Sequence, residues 1–215
     1  MPLRKLSPNY KISGTDLTVG DFWSWAYSDI VCNTTRPIFA EFLVGYALGA
    51  TKSPRIAWDH VDLYYRDKKI EVKSSAFIQR WRQEKLWNVD FDIGKKKPWY
   101  ARTNTWGAEA IRSADCYVFS VYPDKDLTKL NDSEIVNREM LDVSKWQFLV
   151  LPTDEIENDP RLNKQGKISL SPLEKKCKAY AEKCGFQNHF VGFRGLKSRV
   201  NAVLFGESDH SAATE

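Results

Sequence analysis

Apolar and polar residues alternate over 60–64 and 69–73, within the neighbouring segments 56–65 and 69–75, and this alternation is the feature that most constrains the fold. It predicts two β-strands, and the polar turn Arg66-Asp67-Lys68-Lys69 between them predicts an antiparallel hairpin. Successive side chains of a strand point to opposite faces of the sheet. A loop with an even number of residues therefore places the apolar residues of both strands on one face and the polar residues on the other. The apolar face carries Val61, Leu63, Ile70 and Val72, and the polar face carries Asp62, Tyr64, Glu71, Lys73 and Ser75.

The loop length also predicts which residues of the hairpin lie opposite each other. A loop of residues 67 and 68 would place Asp62 opposite Lys73 and Tyr64 opposite Glu71. An odd loop length would instead move Asp62 to the apolar face. Glu and Lys are both depleted in strands, so their presence in this strand needs a reason. One interpretation is a solvated face with a cross-strand ion pair, and the other is a functional site.

Glu41 is the second unusual charge, because it is the only charged residue from Pro37 to Thr51. Proline in the first turn and Gly49 at the end predict a helix over this segment. A helix that is apolar nearly all round is buried, and a buried carboxylate needs a cation or several donors. Glu41 therefore either forms a structural ion pair, with Arg36 as one candidate partner, or points at the polar face of the hairpin.

The residue types of the polar face suit one particular chemistry. Two or three carboxylates that converge on a point form an oxygen-ligand site for Mg²⁺ or Mn²⁺. A lysine beside them can orient a water molecule and stabilise developing negative charge. Metal-assisted hydrolysis of a phosphodiester uses this combination of groups.

A basic and aromatic segment follows the hairpin directly. Residues 79–102 contain seven basic residues against three acidic ones, although the net charge of the whole chain is only +4. Basic side chains neutralise backbone phosphates, and exposed aromatic rings stack on bases. The aromatic candidates are Trp81, Trp87, Trp99 and Tyr100. Taken singly, such residues are more often core or solvated loop residues.

The rest of the pattern predicts one α/β domain with a mixed sheet flanked by helices. Strong strands are predicted at 115–122 and 146–152, and helices at 21–30, 37–48, 76–87, 108–114 and 171–184. The first of these helices is expected to bury Trp23 or Trp25. No linker or repeat divides the chain, so we expect a single domain over residues 1–206 and a flexible tail over residues 207–215.

The cysteines and the hydropathy pattern exclude several other classes. Cys32, Cys116, Cys177 and Cys184 show no C-x-x-C spacing, so neither a zinc site nor a redox motif is indicated. No apolar run reaches the roughly 18 residues of a membrane span, and the N-terminus has no apolar leader region. These features are typical of a cytoplasmic protein without membrane association.

The residues Asp62, Glu71-Val72-Lys73 and a preceding helix with Glu41 resemble the PD-(D/E)xK phosphodiesterase superfamily. The stretch "EVKSS" is similar to the corresponding strand of Holliday-junction resolvases. The wider pattern over residues 17–184 also resembles a family of stand-alone bacterial or phage proteins without an assigned role. The resemblance implies a restriction endonuclease-like core, in which a central mixed β-sheet with a catalytic hairpin is flanked by helices.

The resemblance also implies roles for individual residues. Asp62, Glu71, Lys73 and Glu41 would be catalytic, and the metal ligands would be Asp62, Glu71, Glu41 and the carbonyl of Val72. Weaker candidates for DNA contacts are Ser75, Gln79, Arg80, Arg82, Lys95, Lys96, Lys97 and Arg102. The proline of the motif is absent, since His60 and Val61 precede Asp62. Asp59 is a competing carboxylate, but in a regular strand it would face away from Asp62.

The expected function is therefore that of a Mg²⁺- or Mn²⁺-dependent nuclease acting on DNA, in restriction and defence or in recombination and repair. RNA is an alternative substrate. Double-strand cutting commonly uses two active sites, which favours a homodimer, and a requirement for another protein partner is left open. The first rival hypothesis is a catalytically silent DNA-binding or scaffold protein with the same fold. The second is an interaction domain whose hairpin face is simply solvated.

Overall fold

The computed structural model describes residues 3–81 and 83–211. The helices are α1 (Val19–Tyr27), α2 (Thr35–Leu48), α3 (Ser133–Met140), α4 (Thr153–Glu157), α5 (Leu170–Cys184) and α6 (Leu196–Phe205). The strands are β1 (Leu63–Tyr65), β2 (Lys68–Ala76), β3 (Asp90–Asp92), β4 (Trp99–Tyr100), β5 (Thr105–Trp106), β6 (Cys116–Tyr122), β7 (Gln147–Pro152), β8 (Lys167–Ser169) and β9 (Phe190–Val191). Short 3₁₀ turns cover Leu127–Asn131, Val143–Lys145 and Leu162–Lys164.

A five-stranded mixed sheet forms the centre of the fold. Its strand order is β1-β2-β6-β7-β9. Strands β2 and β6 are parallel, and the other neighbours are antiparallel. Two small two-stranded sheets, β3-β8 and β4-β5, lie outside it. The predicted α/β class with a mixed sheet is confirmed.

Hydrophobic side chains cover both faces of this sheet. On one face, Val72 and Val118 belong to a core that also contains residues of α2 and α6. On the other face, Phe119 and Leu149 belong to a core with residues of β3 and α5. In β2, the side chains on this second face are Glu71, Lys73 and Ser75, because they alternate with Ile70 and Val72. The charged side chains of β2 therefore lie on the second face, near the β1-β2 edge of the sheet.

Helix α2 lies unusually close to the end of β1, and a glycine permits this approach. A Cβ atom at Gly45 would be 2.9 Å from Cγ2 of Thr51 and 3.3 Å from Cδ2 of Leu63, which is tighter than ordinary packing. Gly49 ends the helix in the left-handed conformation with φ of 72°, as predicted. Glu41 lies one turn before Gly45 on the same face, so this contact brings Glu41 to the β1 edge of the sheet.

Four predictions of local structure are wrong. Residues 56–62 precede β1 without forming a strand. The described residues of the predicted helix 76–87 are not helical, and residues 108–114 are not helical either. The chain after β2 is instead held by Trp87, whose backbone N–H donates to the carbonyl of Phe77 at 2.8 Å. Helix α1 forms, but it contains no buried residue, and Trp25 is 84% exposed.

Residues 207–211, which we expected to belong to a flexible tail, are attached to α6. Arg199 is 2% exposed, and its Nε lies 2.7 Å from Oδ2 of Asp209. Ser211 is buried as well. Removing one partner of a buried ion pair is costly, so this segment belongs to the folded domain. Residues 212–215 lie outside the described residues.

No helix within residues 3–81 and 83–211 combines the length and the apolar character required to cross a bilayer.

Candidate functional site

The hairpin of β1 and β2 differs from the prediction by a shift of two residues. Leu63 pairs with Ile70 and Tyr65 with Lys68, so the loop consists of Arg66 and Asp67. Asp62 precedes β1 and has no partner in this register; its carboxyl group lies close enough to Glu71 for the charge of Glu71 to raise its pKa. A shift of two preserves the alternation of side chains. The division into an apolar and a polar face therefore agrees with the prediction, whereas the individual cross-strand pairs do not.

Asp62 is fixed at the point where the chain leaves the sheet. Strand β1 begins only at Leu63, so the backbone before it does not continue the ladder. The backbone N–H of Val72 donates instead to Oδ2 of Asp62 at 2.7 Å. The carboxylate thus replaces a missing backbone acceptor, which satisfies an otherwise unpaired N–H of β2. This bond holds Asp62 beside Glu71.

Glu71 and Lys73 form a direct ion pair along β2. Nζ of Lys73 donates to Oε1 of Glu71 at 2.5 Å, and both side chains are largely buried. Burial alone would lower the pKa of Lys73, but the charge of Glu71, its hydrogen bond and the charge of Asp62 raise it. The lysine therefore stays protonated and is available as a fixed positive charge.

Asp62 has the most strongly perturbed carboxyl group of this cluster. Burial raises its pKa from the ordinary 3.8 to about 7, and the charges of Glu71 and Glu41 add to the rise. The N–H of Val72 and the ammonium of Lys73 oppose it without cancelling it. Three carboxyl groups, those of Asp62, Glu71 and Glu41, lie near two basic side chains, Lys73 and Arg55, so a proton or a cation at Asp62 offsets both the burial and the surplus negative charge.

Glu41 is buried, as predicted, but its partner is Arg55 rather than Arg36. Nε of Arg55 contacts Oε2 of Glu41, and Nη2 donates to Oε1 at 2.7 Å. Arg36 is also buried and donates to the carbonyl of Val31 at 2.9 Å. Because the charge of Glu41 contributes to the raised pKa of Asp62, both earlier interpretations apply. Glu41 forms an ion pair and also lies in the electrostatic neighbourhood of the hairpin.

The donor set fits a hard divalent cation in chemistry and charge. Asp62 and Glu71 offer carboxylate oxygens, which Mg²⁺ and Mn²⁺ prefer, and the excess negative charge around Asp62 favours a cation. Within residues 3–81 and 83–211, no three His, Cys, Asp or Glu side chains are already arranged to hold a metal. For Glu41 to serve as a third carboxylate ligand, it would have to turn away from Arg55.

Asp92 and Tyr117 are two members of the site that sequence reasoning missed. Tyr117 lies beside Glu71 in the β2-β6 register, and its pKa is raised by burial and then by the charge of Glu71. Asp92 in β3 adds to the charges that raise the pKa of Lys73. The only hint in the sequence was the alternation of Asp90 and Asp92 around a buried phenylalanine.

Asp59, the competing carboxylate, forms hydrogen bonds that connect the irregular segment 56–62 to the β4-β5 hairpin. Its Oδ1 lies 2.9 Å from Nδ1 of His60, and its Oδ2 accepts from the hydroxyl of Tyr64 at 3.2 Å. The ring of His60 lies 4.7 Å from that of Tyr100, measured between centroids. These contacts bring the aromatic β4-β5 hairpin beside the cluster.

Two of the predicted DNA contacts are buried. Gln79 is 1% exposed, and its side-chain amide donates to the carbonyl of Ala76 at 2.7 Å. Ser75 is also buried. Neither side chain is exposed in this structure, which does not favour a direct DNA contact by either residue. Their environment indicates that they support the end of β2.

The predicted basic residues are spread over several separate contacts. Arg80 pairs with Asp29, Lys95 with Glu157 and Lys96 with Asp92, at 2.8, 3.6 and 2.7 Å. Lys97 and Arg102 are exposed, and Arg82 lies outside the described residues. The pKa of Tyr64 is raised, mainly by burial, and the positive charge of Arg102 partly opposes this rise. Arg102 is therefore the predicted basic residue with the clearest link to the hairpin.

A cavity of about 430 Å³ opens between α2, the segment after it and β1. Its acidic lining comprises Glu41, Asp59 and Asp62, and its basic lining comprises Lys5 and Arg55. Thr51, Ser53 and Tyr64 contribute hydroxyl groups. The cavity therefore joins the carboxylate cluster to a rim of hydrogen-bond donors.

No protein-family model matches this chain, and comparisons with curated proteins and with solved structures found no significant match.

Proposed function

We propose that this protein is a Mg²⁺- or Mn²⁺-dependent phosphodiesterase that cleaves nucleic acid, with DNA as the favoured substrate. The observation that carries the proposal is the half-buried cluster of Asp62, Glu71 and Lys73 at the β1-β2 edge of a mixed sheet. Its excess negative charge favours a divalent cation, and the adjacent lysine supplies a fixed positive charge. The same residues give the resemblance to the PD-(D/E)xK superfamily, so we also propose a restriction endonuclease-like core.

The roles of the residues follow from their positions. Asp62 and Glu71 would hold the cation, with the carbonyl of Val72 and a released Glu41 as further donors. The bound cation would supply Lewis-acid activation of water and neutralisation of phosphate charge. Lys73 would orient the attacking water and stabilise negative charge that develops on the phosphate. Tyr117 and Asp92 would limit the freedom of Glu71 and Lys73.

The surroundings of the cluster support a nucleic-acid substrate. Trp58 is 80% exposed and Trp106 is 67% exposed, and exposed aromatic rings stack on unpaired bases. The β4-β5 hairpin that carries Trp106 is joined to the cluster through the contacts of Asp59 and His60. Arg102 on the same hairpin offers a positive charge for a backbone phosphate.

A catalytically silent nucleic-acid-binding or scaffold protein is the alternative function. It is favoured by the occupation of both oxygens of Glu41 by Arg55. The lack of a ready-made three-carboxylate site among the described residues points the same way. In that case the hairpin would be a structural ion-pair cluster, and added metal would change neither the stability nor the activity.

Incubation of the purified protein with supercoiled plasmid, single-stranded DNA and single-stranded RNA tests the proposal. We expect cleavage of at least one DNA substrate with Mg²⁺ or Mn²⁺, and no cleavage with EDTA. Ca²⁺, which binds oxygen ligands but supports such hydrolysis poorly, serves as the matched ion control. Failure to cut any substrate, together with no effect of Mn²⁺ on the melting temperature, would support the silent alternative.

A further inference from the structure

The ion pair between Arg55 and Glu41 joins a fixed group to a movable one. Glu41 projects from α2, where its neighbours Ala40, Leu43 and Val44 are buried. Arg55 belongs to the irregular segment between α2 and β1. The side chain of Arg55 is 36% exposed, compared with 8% for Glu41. Among the described residues, Arg55 makes no other side-chain hydrogen bond, so it can leave this contact without breaking a network.

The charge of Arg55 also acts on the proposed metal ligands. The pKa of Arg55 is raised first by its hydrogen bond to Glu41, and the charge of Asp62 adds to the rise. A cation placed at the hairpin cluster would therefore repel Arg55 and attract Glu41. Arg55 and the cation compete for the same carboxylate.

A released Arg55 would remain in the cavity. It lines the cavity together with Lys5, Thr51 and Ser53. Guanidinium, ammonium and hydroxyl groups are donors that bind phosphate oxygens. The cavity therefore offers a phosphate site directly beside the carboxylate cluster.

We propose that Arg55 is an exchangeable counter-ion, which pairs with Glu41 while no metal is bound and binds a substrate phosphate after a divalent cation has engaged Glu41. This inference rests on the proposed metal-dependent function. It adds a phosphate-binding subsite and an order of events, in which the cation must bind before the phosphate site becomes available. Metal binding and nucleic-acid binding are then coupled through one arginine.

Arg55→Gln tests the exchange in two binding measurements that need no cleavage. Titration with Mn²⁺, followed by electron paramagnetic resonance, is expected to show about tenfold tighter binding than in the wild type, because the competing cation is gone. Binding of a labelled single-stranded DNA is expected to weaken about tenfold in Ca²⁺. In EDTA, the same variant is expected to bind DNA as the wild type does.

Arg66→Gln is the matched control, because Arg66 also pairs with a glutamate, Glu207, but on the surface at the hairpin turn. It should change Mn²⁺ affinity less than about twofold. If Arg55→Gln folds poorly, Arg55→Lys replaces it, since lysine keeps the charge but lacks the bidentate fork. We expect Arg55→Lys to bind Mn²⁺ more tightly than the wild type, though less tightly than Arg55→Gln.

Unchanged or weaker Mn²⁺ binding in the Arg55 variants would overturn the exchange, as would a loss of DNA affinity that is equal in Ca²⁺ and in EDTA. A wild-type protein that binds Mn²⁺ and cleaves DNA alongside such variants would leave the proposed function intact. A wild-type protein that binds no Mn²⁺ would overturn both proposals.

Discussion

Glu71→Gln is expected to lower the rate of metal-dependent cleavage at least about a hundredfold, since it removes a charged ligand from the reacting centre. The fold should survive, because glutamine has a similar shape and its amide oxygen can still accept from Lys73. Lys73→Met is expected to reduce the rate by a similar factor without weakening Mn²⁺ binding, because it removes a positive charge that competes for Glu71. Initial rates on plasmid and on single-stranded DNA, together with circular dichroism of each variant, measure both effects.

The matched control for this pair is Glu207→Gln, which neutralises an exposed carboxylate that pairs with Arg66 at the end of the hairpin. It should cleave at the wild-type rate. Cleavage by Glu71→Gln within a few-fold of the wild type would remove Glu71 from the proposed active site. Loss of Mn²⁺ binding in Lys73→Met would assign the lysine a structural role instead.

Asp62→Asn is expected to stabilise the metal-free protein at pH 8. The pKa of Asp62 is raised to about 7 in the folded state, so the folded protein holds this proton more tightly than the unfolded chain does. The resulting stability is fully present below about pH 4 and is lost as the pH rises through about 7. Asparagine keeps the acceptor for Val72 and has no proton to lose. Urea unfolding in EDTA should show little difference at pH 4 and a gain of about 2–4 kcal/mol at pH 8.

Metal should reverse the order of the two proteins at pH 8. Mn²⁺ binds the folded wild type and stabilises it by mass action, whereas Asp62→Asn lacks the ligand. Asp59→Asn is a control with the opposite sign. Burial is the largest single influence and would raise the pKa of Asp59, but the hydrogen bonds from His60 and Ala101 and the charge of His60 together outweigh it and lower this pKa. Asp59 therefore stabilises the fold above its unfolded pKa, and this contribution is lost as the pH falls. A wild type and an Asp62→Asn variant of equal stability at every pH would contradict the buried-carboxylate account.

The polar face of the hairpin could be predicted from the sequence, because the face on which each side chain lies depends only on whether the loop has an even or an odd number of residues. The register could not be predicted, because the loop begins at Arg66, which adopts a positive φ of 54°. Arginine carries no local preference for that conformation, unlike Gly or Asn. A turn one residue earlier moves each cross-strand partner by two positions without changing the faces.

Tertiary contacts explain the other differences. Arg36 was the nearest basic residue to Glu41 along the chain, but it donates to the carbonyl of Val31, and the loop after α2 supplies Arg55 instead. Asp92 reaches the site only because β3 packs near β2, and no local pattern encodes that approach. The predicted helix over 76–87 failed because Ile78 and Gln79 are buried beyond the end of β2, so tertiary burial overrode helical spacing.

Titration of the metal-free protein with Mn²⁺ at pH 8 tests the central claim most directly, since it asks whether the hairpin cluster binds a cation at all. Electron paramagnetic resonance of free Mn²⁺ should show saturable binding by the wild type. Asp62→Asn and Glu71→Gln should each bind at least about tenfold more weakly, while Glu207→Gln should match the wild type. No saturable binding by the wild type, or equal binding by all four proteins, would contradict a metal site at Asp62 and Glu71.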